Sequence, residues 1–207
     1  MSISLRTLPS RRCATILALL LPLAACATGP RRPETLSASA TVLATPLVEQ
    51  DELHECGLAA LSSLCGFYQV TIPEAERKDL AQLAAEHEGL SGAELRTALE
   101  GLGFEVYIFE GTFDRAPTGV LNHIEQGRPL LVMTTNHDQN HYSLLIGHDP
   151  ELANVVLLDP LRGRVLLPDE VFQRLWGAVR HFTLLAVPVT PTSVGLVRTN
   201  SVPEIDS

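Results

Sequence analysis

Apolar residues recur at helical spacing immediately after residue 55. Leu58, Leu61, Cys65 and Tyr68 follow an i, i+3, i+7, i+10 pattern, which predicts one buried stripe on a helix over 56–68. The residue that opens this helix, Cys56, lies off the stripe. Other helix signals are a proline in a first turn, a Ser-x-x-Glu capping box and glycines that end an apolar period. They predict further helices over 73–86, 93–100, 117–126 and 169–176.

Strand signals dominate the second half of the chain. Residues 104–109 alternate between apolar and polar, and 128–134 form an apolar run typical of a buried strand. Further strands are predicted over 141–147, 154–158, 163–167 and 180–187. Because helices come first and neighbouring strands follow with short connections, the pattern predicts an α+β fold with N-terminal helices packed on an antiparallel sheet.

The first 25 residues have the features of a signal peptide. Three arginines, at positions 6, 11 and 12, precede an apolar segment over 14–25 that is too short for an ordinary membrane span. The run Leu23-Ala24-Ala25-Cys26 resembles the lipobox of bacterial lipoproteins. That resemblance implies cleavage before Cys26 and a lipid on its sulfur; the alternative is a plain secretory signal cut nearby.

The lipoprotein interpretation sets the predicted organisation and location. Ala27 follows the lipidated cysteine, whereas an Asp there retains lipoproteins in the inner membrane of some bacteria. We therefore expect a cell-envelope protein, anchored in the outer membrane and facing the periplasm. The predicted domains are a signal peptide over 1–25, a lipidated Cys26 with a flexible tether over 26–45, a folded domain over 46–188 and a disordered tail over 189–207.

The charge of the chain excludes one class of partner. The formal net charge is −9, and removal of residues 1–25, which carry three arginines and no acidic residue, makes the chain more acidic still. Nucleic-acid binding needs a basic face, so we expect no nucleic-acid partner. Membrane attachment is expected through the lipid and not through charge.

Cys56 is the candidate nucleophile. A thiolate at a helix N-terminus is stabilised by the helix dipole and free N–H groups, which lower its pKa. Gln50 lies six residues upstream, where its amide and the Cys56 N–H can stabilise an oxyanion. Cys65 is nine residues further along the same helix, about 13 Å away, which is too far for a disulfide, and is expected to be a core thiol.

Among seven histidines, His141 is the candidate base. It opens a strand directly after the polar segment 136–140, a position that faces a cleft. If the following hairpin turns at Pro150, residues whose numbers sum to about 300 pair, so His141 lies opposite Asp159. An alternative uses His137, Asp138 and His141 as metal ligands; the pattern disfavours a helix there and nothing completes the site, so no metal or cofactor is expected.

These segments together resemble a known peptidase family. Gln50, the run Glu55-Cys56-Gly57-Leu58-Ala59, the run His141 to Gly147, and Leu158-Asp159-Pro160 resemble the bacteriocin-processing cysteine peptidases. Those are papain-like domains that cut double-glycine leader peptides, usually within peptide-exporting ABC transporters. The resemblance covers about residues 46–180.

The resemblance implies a role for each of four residues. Cys56 would be the nucleophile, His141 the general base and then acid, Asp159 the group that orients His141, and Gln50 part of the oxyanion hole. ABC export machinery is an implied partner. Two departures are Ala60, where relatives often have a second cysteine, and the export of this chain, since the family acts on the cytoplasmic side.

Three functional hypotheses remain open from the sequence. The first is a membrane-anchored cysteine peptidase that cleaves a peptide or leader peptide in the cell envelope. The second is an acyl transferase or amidase that uses the same cysteine with an amine acceptor. The third is a papain-like module that binds a peptide without cleaving it.

Overall fold

A computed structural model describes residues 35–136 and 139–189. Five α-helices are present in these ranges, and a short 3-10 helix, Leu53–Glu55, directly precedes the first of them. The helices are α1 (Cys56–Phe67), α2 (Glu74–Glu86), α3 (Gly92–Gly101), α4 (Val120–Glu125) and α5 (Asp169–Gly177). The helices predicted from the sequence are confirmed, with shifted ends.

The strands form one antiparallel sheet. They are β1 (Thr41–Val42), β2 (Phe104–Glu110), β3 (Leu130–Asn136), β4 (Gln139–Asp149), β5 (Asn154–Asp159), β6 (Gly163–Pro168) and β7 (Phe182–Pro188). The order across the sheet is β2-β7-β3-β4-β5-β6, and β1 pairs with β4. The predicted α+β class with an antiparallel sheet is therefore confirmed.

Helices cover both faces of this sheet. Ten of the twelve residues of α1 are buried, because α1 packs on β4 and also contacts α2 and α3. The buried surface of α1 is thus wider than the predicted stripe and includes Cys56. On the opposite face, the Trp176 ring of α5 packs beside Thr183 of β7 and donates its N–H to the carbonyl of Phe182 at 3.0 Å.

The β4–β5 hairpin differs from the predicted register. Asp149 pairs with Asn154, so the turn lies about 1.5 residues beyond the predicted centre at Pro150. A β-bulge between Leu145 and Gly147 then shifts the register by one residue toward the site. The longer turn moves each pairing partner by three positions and the bulge moves it back by one. Because the net shift of two positions is even, the same residues stay on each face of the hairpin. His141 and Asp159 are diagonal neighbours, not directly opposite partners as predicted.

The predicted tether over 26–45 extends too far. Ser37 donates its backbone N–H and its hydroxyl to the buried carboxylate of Asp149, at 2.7 and 2.6 Å. Thr41 pairs with His148, and the Leu43 N–H donates to the Ile146 carbonyl at 2.8 Å. We call residues 37–50 the N-terminal strap; polar, small residues suggested a tether, but their backbone completes the uncovered end of β4.

Several predictions lie outside the described residues. They are the signal peptide over 1–25, the lipidation site Cys26, and the tail beyond Val189. Among residues 35–136 and 139–189, no helix has the length and hydrophobicity needed to cross a membrane.

Candidate active site

Cys56 begins α1 and is almost completely buried. The 3-10 helix turns the chain directly into α1, and only 7% of Cys56 is exposed. The first N–H groups of a helix carry partial positive charge, and the backbone groups of Gly57 and Tyr142 contribute to lowering the pKa of the Cys56 thiol. This environment favours the thiolate over the thiol.

His141 connects Cys56 with Asp159. Its Nε2 lies 3.2 Å from Oδ1 of Asp159. This leaves Nδ1 free for the sulfur of Cys56, and the interaction with the His141 side chain lowers the pKa of the Cys56 thiol. The three side chains come from three elements: the start of α1, the beginning of β4 and the end of β5.

The three groups shift the pKa values of one another. Burial alone would raise the pKa of Cys56, but the hydrogen bond and charge of His141 outweigh it, so the pKa is lowered. Burial alone would lower the pKa of His141, yet the bonds to Asp159 and Cys56 raise it to about 9. Both shifts favour a thiolate–imidazolium pair near neutral pH.

Asp159 is held in its charged form by several donors. The side chain of Arg162 donates through Nε at 2.9 Å and Nη2 at 2.6 Å to Oδ2, and the backbone N–H groups of Leu161 and Arg162 donate to Oδ1. Burial of the Asp159 side chain would raise the pKa of its carboxyl, but the hydrogen bonds from His141 and Arg162 hold that pKa well below its usual range. Asp159 is therefore a fixed negative charge behind His141.

Gln50 lies at the end of the N-terminal strap, next to the β5–β6 turn. Its backbone N–H donates to the carbonyl of Pro160 at 3.1 Å. Its side-chain Nε2 donates to the carbonyl of Glu52 at 2.9 Å, and Oε1 is buried without a hydrogen-bond partner among the described residues. Because an amide NH2 carries two hydrogens, one remains for a further acceptor.

A cleft of about 630 Å³ opens at Cys56. One wall is the α2–α3 loop, residues 87–92, and the other includes Met133, Asn140 and Tyr142. A side chain at Gly57 would approach Leu90 and the Tyr142 ring to 3.3 Å, so glycine keeps the two walls close beside the nucleophile. The cleft is large enough for several residues of an extended peptide.

Comparison with known proteins assigns this arrangement to a family. The family model described as "Peptidase C39 family" matches residues 44–184. The chain belongs to the peptidase C39 family. It is accordingly a cysteine peptidase, and the earlier resemblance to the bacteriocin-processing peptidases is confirmed.

One curated relative and two solved structures are similar to this C39 peptidase. It is 28% identical over 157 residues to the probable microcin-H47 secretion/processing ATP-binding protein MchF of Escherichia coli, covering 76% of the chain but only 20% of that protein. The peptidase domain of Streptococcus ComA, a bifunctional ABC transporter in quorum sensing, superposes with a TM-score of 0.57 at 20% identity, covering 69% of the chain and 97% of the domain.

The second structure is a double-glycine motif protease from an AMS/PCAT transporter in complex with the leader peptide. It gives a TM-score of 0.54 at 19% identity and covers 72% of this chain and 94% of that one. Both solved structures bear out the papain-like fold predicted for the C39 peptidase.

Sequence reasoning missed two parts of the site. The first is Arg162, which follows Asp159 by three residues and binds it across the β5–β6 turn. The second is the cleft wall formed by the α2–α3 loop, where His87 lies 2.7 Å from Glu94. The contact of Arg162 could have been predicted, because Arg162 follows an Asp at a strand end by three residues. The cleft wall could not, because it depends on tertiary packing.

Cys65 lies in the core, and the metal alternative falls only partly within the described residues. Cys65 is buried, and burial together with the charge of Glu76 raises the pKa of its thiol to about 12, as befits a core residue. His137 and Asp138 lie outside the described residues. Within the described ranges, no group of three or more His, Cys, Asp or Glu side chains has a metal-binding arrangement.

Proposed function

We propose that the chain is a lipid-anchored peptidase of the cell envelope that cleaves peptides through Cys56, His141 and Asp159, with Gln50 in the oxyanion hole. The observation that carries this proposal is the 3.2 Å contact of His141 with the buried Asp159, together with the interaction of His141 with Cys56 that lowers the pKa of its thiol. The cleft that opens at the sulfur supplies the space for a peptide.

Acylation would begin from the thiolate–imidazolium pair. The Cys56 sulfur attacks the scissile carbonyl carbon, and the carbonyl oxygen becomes an oxyanion that accepts from the Cys56 N–H and the Gln50 amide. His141 then gives its Nδ1 proton to the leaving nitrogen, and the C–N bond breaks. The N-terminal part of the substrate remains as a thioester on Cys56.

Deacylation would use the same groups in the reverse roles. Neutral His141 removes a proton from a water molecule, and the resulting hydroxide attacks the thioester. The C–S bond breaks, and the imidazolium and thiolate are regenerated. Asp159 supports both stages because its fixed charge stabilises the imidazolium and holds Nδ1 toward the sulfur.

Leader peptides that end in two glycines are the proposed substrate class. The relatives are described as secretion/processing and double-glycine motif proteins, and one solved relative holds a leader peptide. The narrow approach at Gly57 suits small residues beside the nucleophile. ABC export machinery is the proposed partner. The lipobox at Leu23 to Cys26 supports a lipid anchor, and Ala27 after it supports the outer membrane on the periplasmic side.

The test is cleavage of fluorogenic peptides that carry Gly-Gly before the scissile bond. We expect hydrolysis by the protein from residue 35 onward, loss of it in Cys56→Ser and His141→Ala, and full retention in Cys65→Ser. Mass spectrometry should detect the thioester of Cys56 with the N-terminal product. Turnover that persists in Cys56→Ser would contradict the proposal, and product formed only with an added amine would favour the acyl-transferase alternative.

A further inference from the structure

More than half of the exposed large apolar side chains of the described residues are close in sequence to active-site residues. Seven large hydrophobic residues are exposed in the described ranges: Leu47, Val48, Leu53, Tyr107, Leu152, Leu161 and Val189. Four of the seven lie within five residues of Gln50, Cys56 or Asp159 in sequence. Of these four, Leu53 lines the cleft, whereas the other three do not.

Leu47 and Leu161, together with Val48, the neighbour of Leu47 in sequence, define what we call the exit patch. Leu161 is 60% exposed and lies in the β5–β6 turn, two residues after Asp159. Leu47 is 39% exposed, and its Cδ2 lies 3.8 Å from the Cβ position of Gly163 at the other end of that turn. The bond from the Gln50 N–H to the Pro160 carbonyl holds the strap against the turn and keeps the patch together.

The chemistry of the site decides which half of a substrate passes over this patch. The acid that protonates the leaving nitrogen is His141, so the segment that begins with this nitrogen must pass beside the imidazole. Asp159 and the β5–β6 turn lie directly behind His141. The half of the peptide that remains on Cys56 occupies the cleft on the other side, whose walls include none of the exit-patch residues.

We propose that the exit patch binds the first residues after the scissile bond and selects apolar side chains there. This inference rests on the proposed peptidase function and names a substrate preference of the same site. Burial of an apolar side chain against Leu161 and Leu47 would remove apolar surface of both partners from water. The charge of Arg162 beside the patch is already compensated by Asp159, so it offers no site for an acidic side chain.

The test compares two fluorogenic peptides that differ only in the first residue after Gly-Gly, Leu in one and Ser in the other. We expect kcat/KM to be about tenfold higher for the Leu peptide. Leu161→Ser and Leu47→Ser should reduce this ratio toward one by lowering the rate for the Leu peptide alone. Leu152→Ser, which changes an exposed leucine in the β4–β5 turn at the far end of β4, should leave the ratio unchanged.

A second measurement separates this inference from the proposed function. Fluorescence anisotropy of the same two peptides with Cys56→Ser reports docking without turnover. A preference for Leu that Leu161→Ser removes would support the patch even if no peptide were cleaved. Equal affinity and equal kcat/KM for both peptides would overturn it. So would a loss of kcat with both peptides in Leu161→Ser together with a shifted pH profile, because Leu161 would then only shield His141 and Asp159 from water.

Discussion

Asp159 is the residue on which the geometry of the site depends most. One carboxylate accepts from His141, from the side chain of Arg162 and from two backbone N–H groups of the β5–β6 turn. It therefore fixes the imidazole and closes the turn at once. Arg162 compensates the buried charge from the solvent side, since its own side chain is 63% exposed.

Asp159→Asn should weaken both functions of this carboxylate. We expect a loss of about 2 kcal/mol in the free energy of unfolding, because charge-assisted hydrogen bonds are lost. The pKa of His141 should fall from about 9 toward its ordinary value, and the pKa of Cys56 should rise as the imidazolium becomes less stable. Urea unfolding and NMR titration of His141 measure the two effects.

Asp149→Asn is the matched control for this change. Asp149 is also fully buried and also accepts from several donors, but it binds Ser37 and the turn at the other end of β4. The Asp149→Asn variant should have a lower free energy of unfolding, with no change in the titration of His141. An unchanged His141 pKa in Asp159→Asn would mean that the carboxylate serves only to close the turn.

At the level of elements, the contact between His141 and Asp159 was readable from the sequence, but the register behind it was not. The parity of the hairpin places both residues on the same face, and this survived because the longer turn and the bulge together shift the pairing by two positions, an even number. A bulge has no signal in the local hydrophobic pattern of β4, where the buried run continues through it. The prediction therefore reached the right pair through a wrong alignment.

The N-terminal strap shows the limit of composition as a guide. Residues 37–45 are mostly small or polar and lack periodicity, as tethers do, yet apart from the Ser37 hydroxyl their hydrogen bonds to β4 come from backbone groups that any sequence can supply. Pro46 then packs against α1, and the Val48 N–H donates to the Ser63 hydroxyl at 2.9 Å. The strap thereby connects the far end of the sheet to Gln50.

The contact between the strap and α1 can be measured at Gly66. A Cβ at this position would lie 2.7 Å from Cγ of Pro46, although alanine in a helix normally stabilises by about 1 kcal/mol relative to glycine. We expect Gly66→Ala to be at least about 1 kcal/mol less favourable with Pro46 present than in the Pro46→Ala background. Thermal or urea unfolding of the four proteins in this cycle gives the coupling.

Additive effects in that cycle would show that the strap does not press on α1. In that case Pro46 could move away at little cost, and the position of Gln50 would depend on the hydrogen bonds of the strap to Ser63 and Pro160.

At the level of the whole molecule, the prediction of the fold and the prediction of membrane attachment rest on different parts of the sequence. The fold class and the order of the helices and strands followed from periodicity, since most elements are long and half or fully buried. The cleft wall over 87–92 could not be predicted, because it depends on how the α2–α3 loop packs against α1. Membrane attachment rests on the sequence around Cys26.

Cys26→Ser tests the proposed attachment. In a bacterial host that lipidates exported proteins, we expect the unaltered chain in the outer-membrane fraction and the variant in the soluble envelope fraction, because several acyl chains anchor firmly. Intact mass should show a mature chain that begins at acylated Cys26. A soluble, unacylated unaltered chain would mean that the segment is a plain secretory signal.

The most direct test of the central claim is the pH dependence of Cys56 alkylation. Because His141, with a pKa of about 9, stabilises the thiolate, Cys56 should react with iodoacetamide almost as fast at about pH 6 as at about pH 8.5. In His141→Ala the rate should rise with pH toward the ordinary thiol range of about 8.5 or above. Cys65, buried and with its pKa at about 12, should stay unreactive in both proteins. A Cys56 rate that rises about tenfold per pH unit up to about pH 8.5 in the unaltered protein would contradict an activated Cys56–His141 pair.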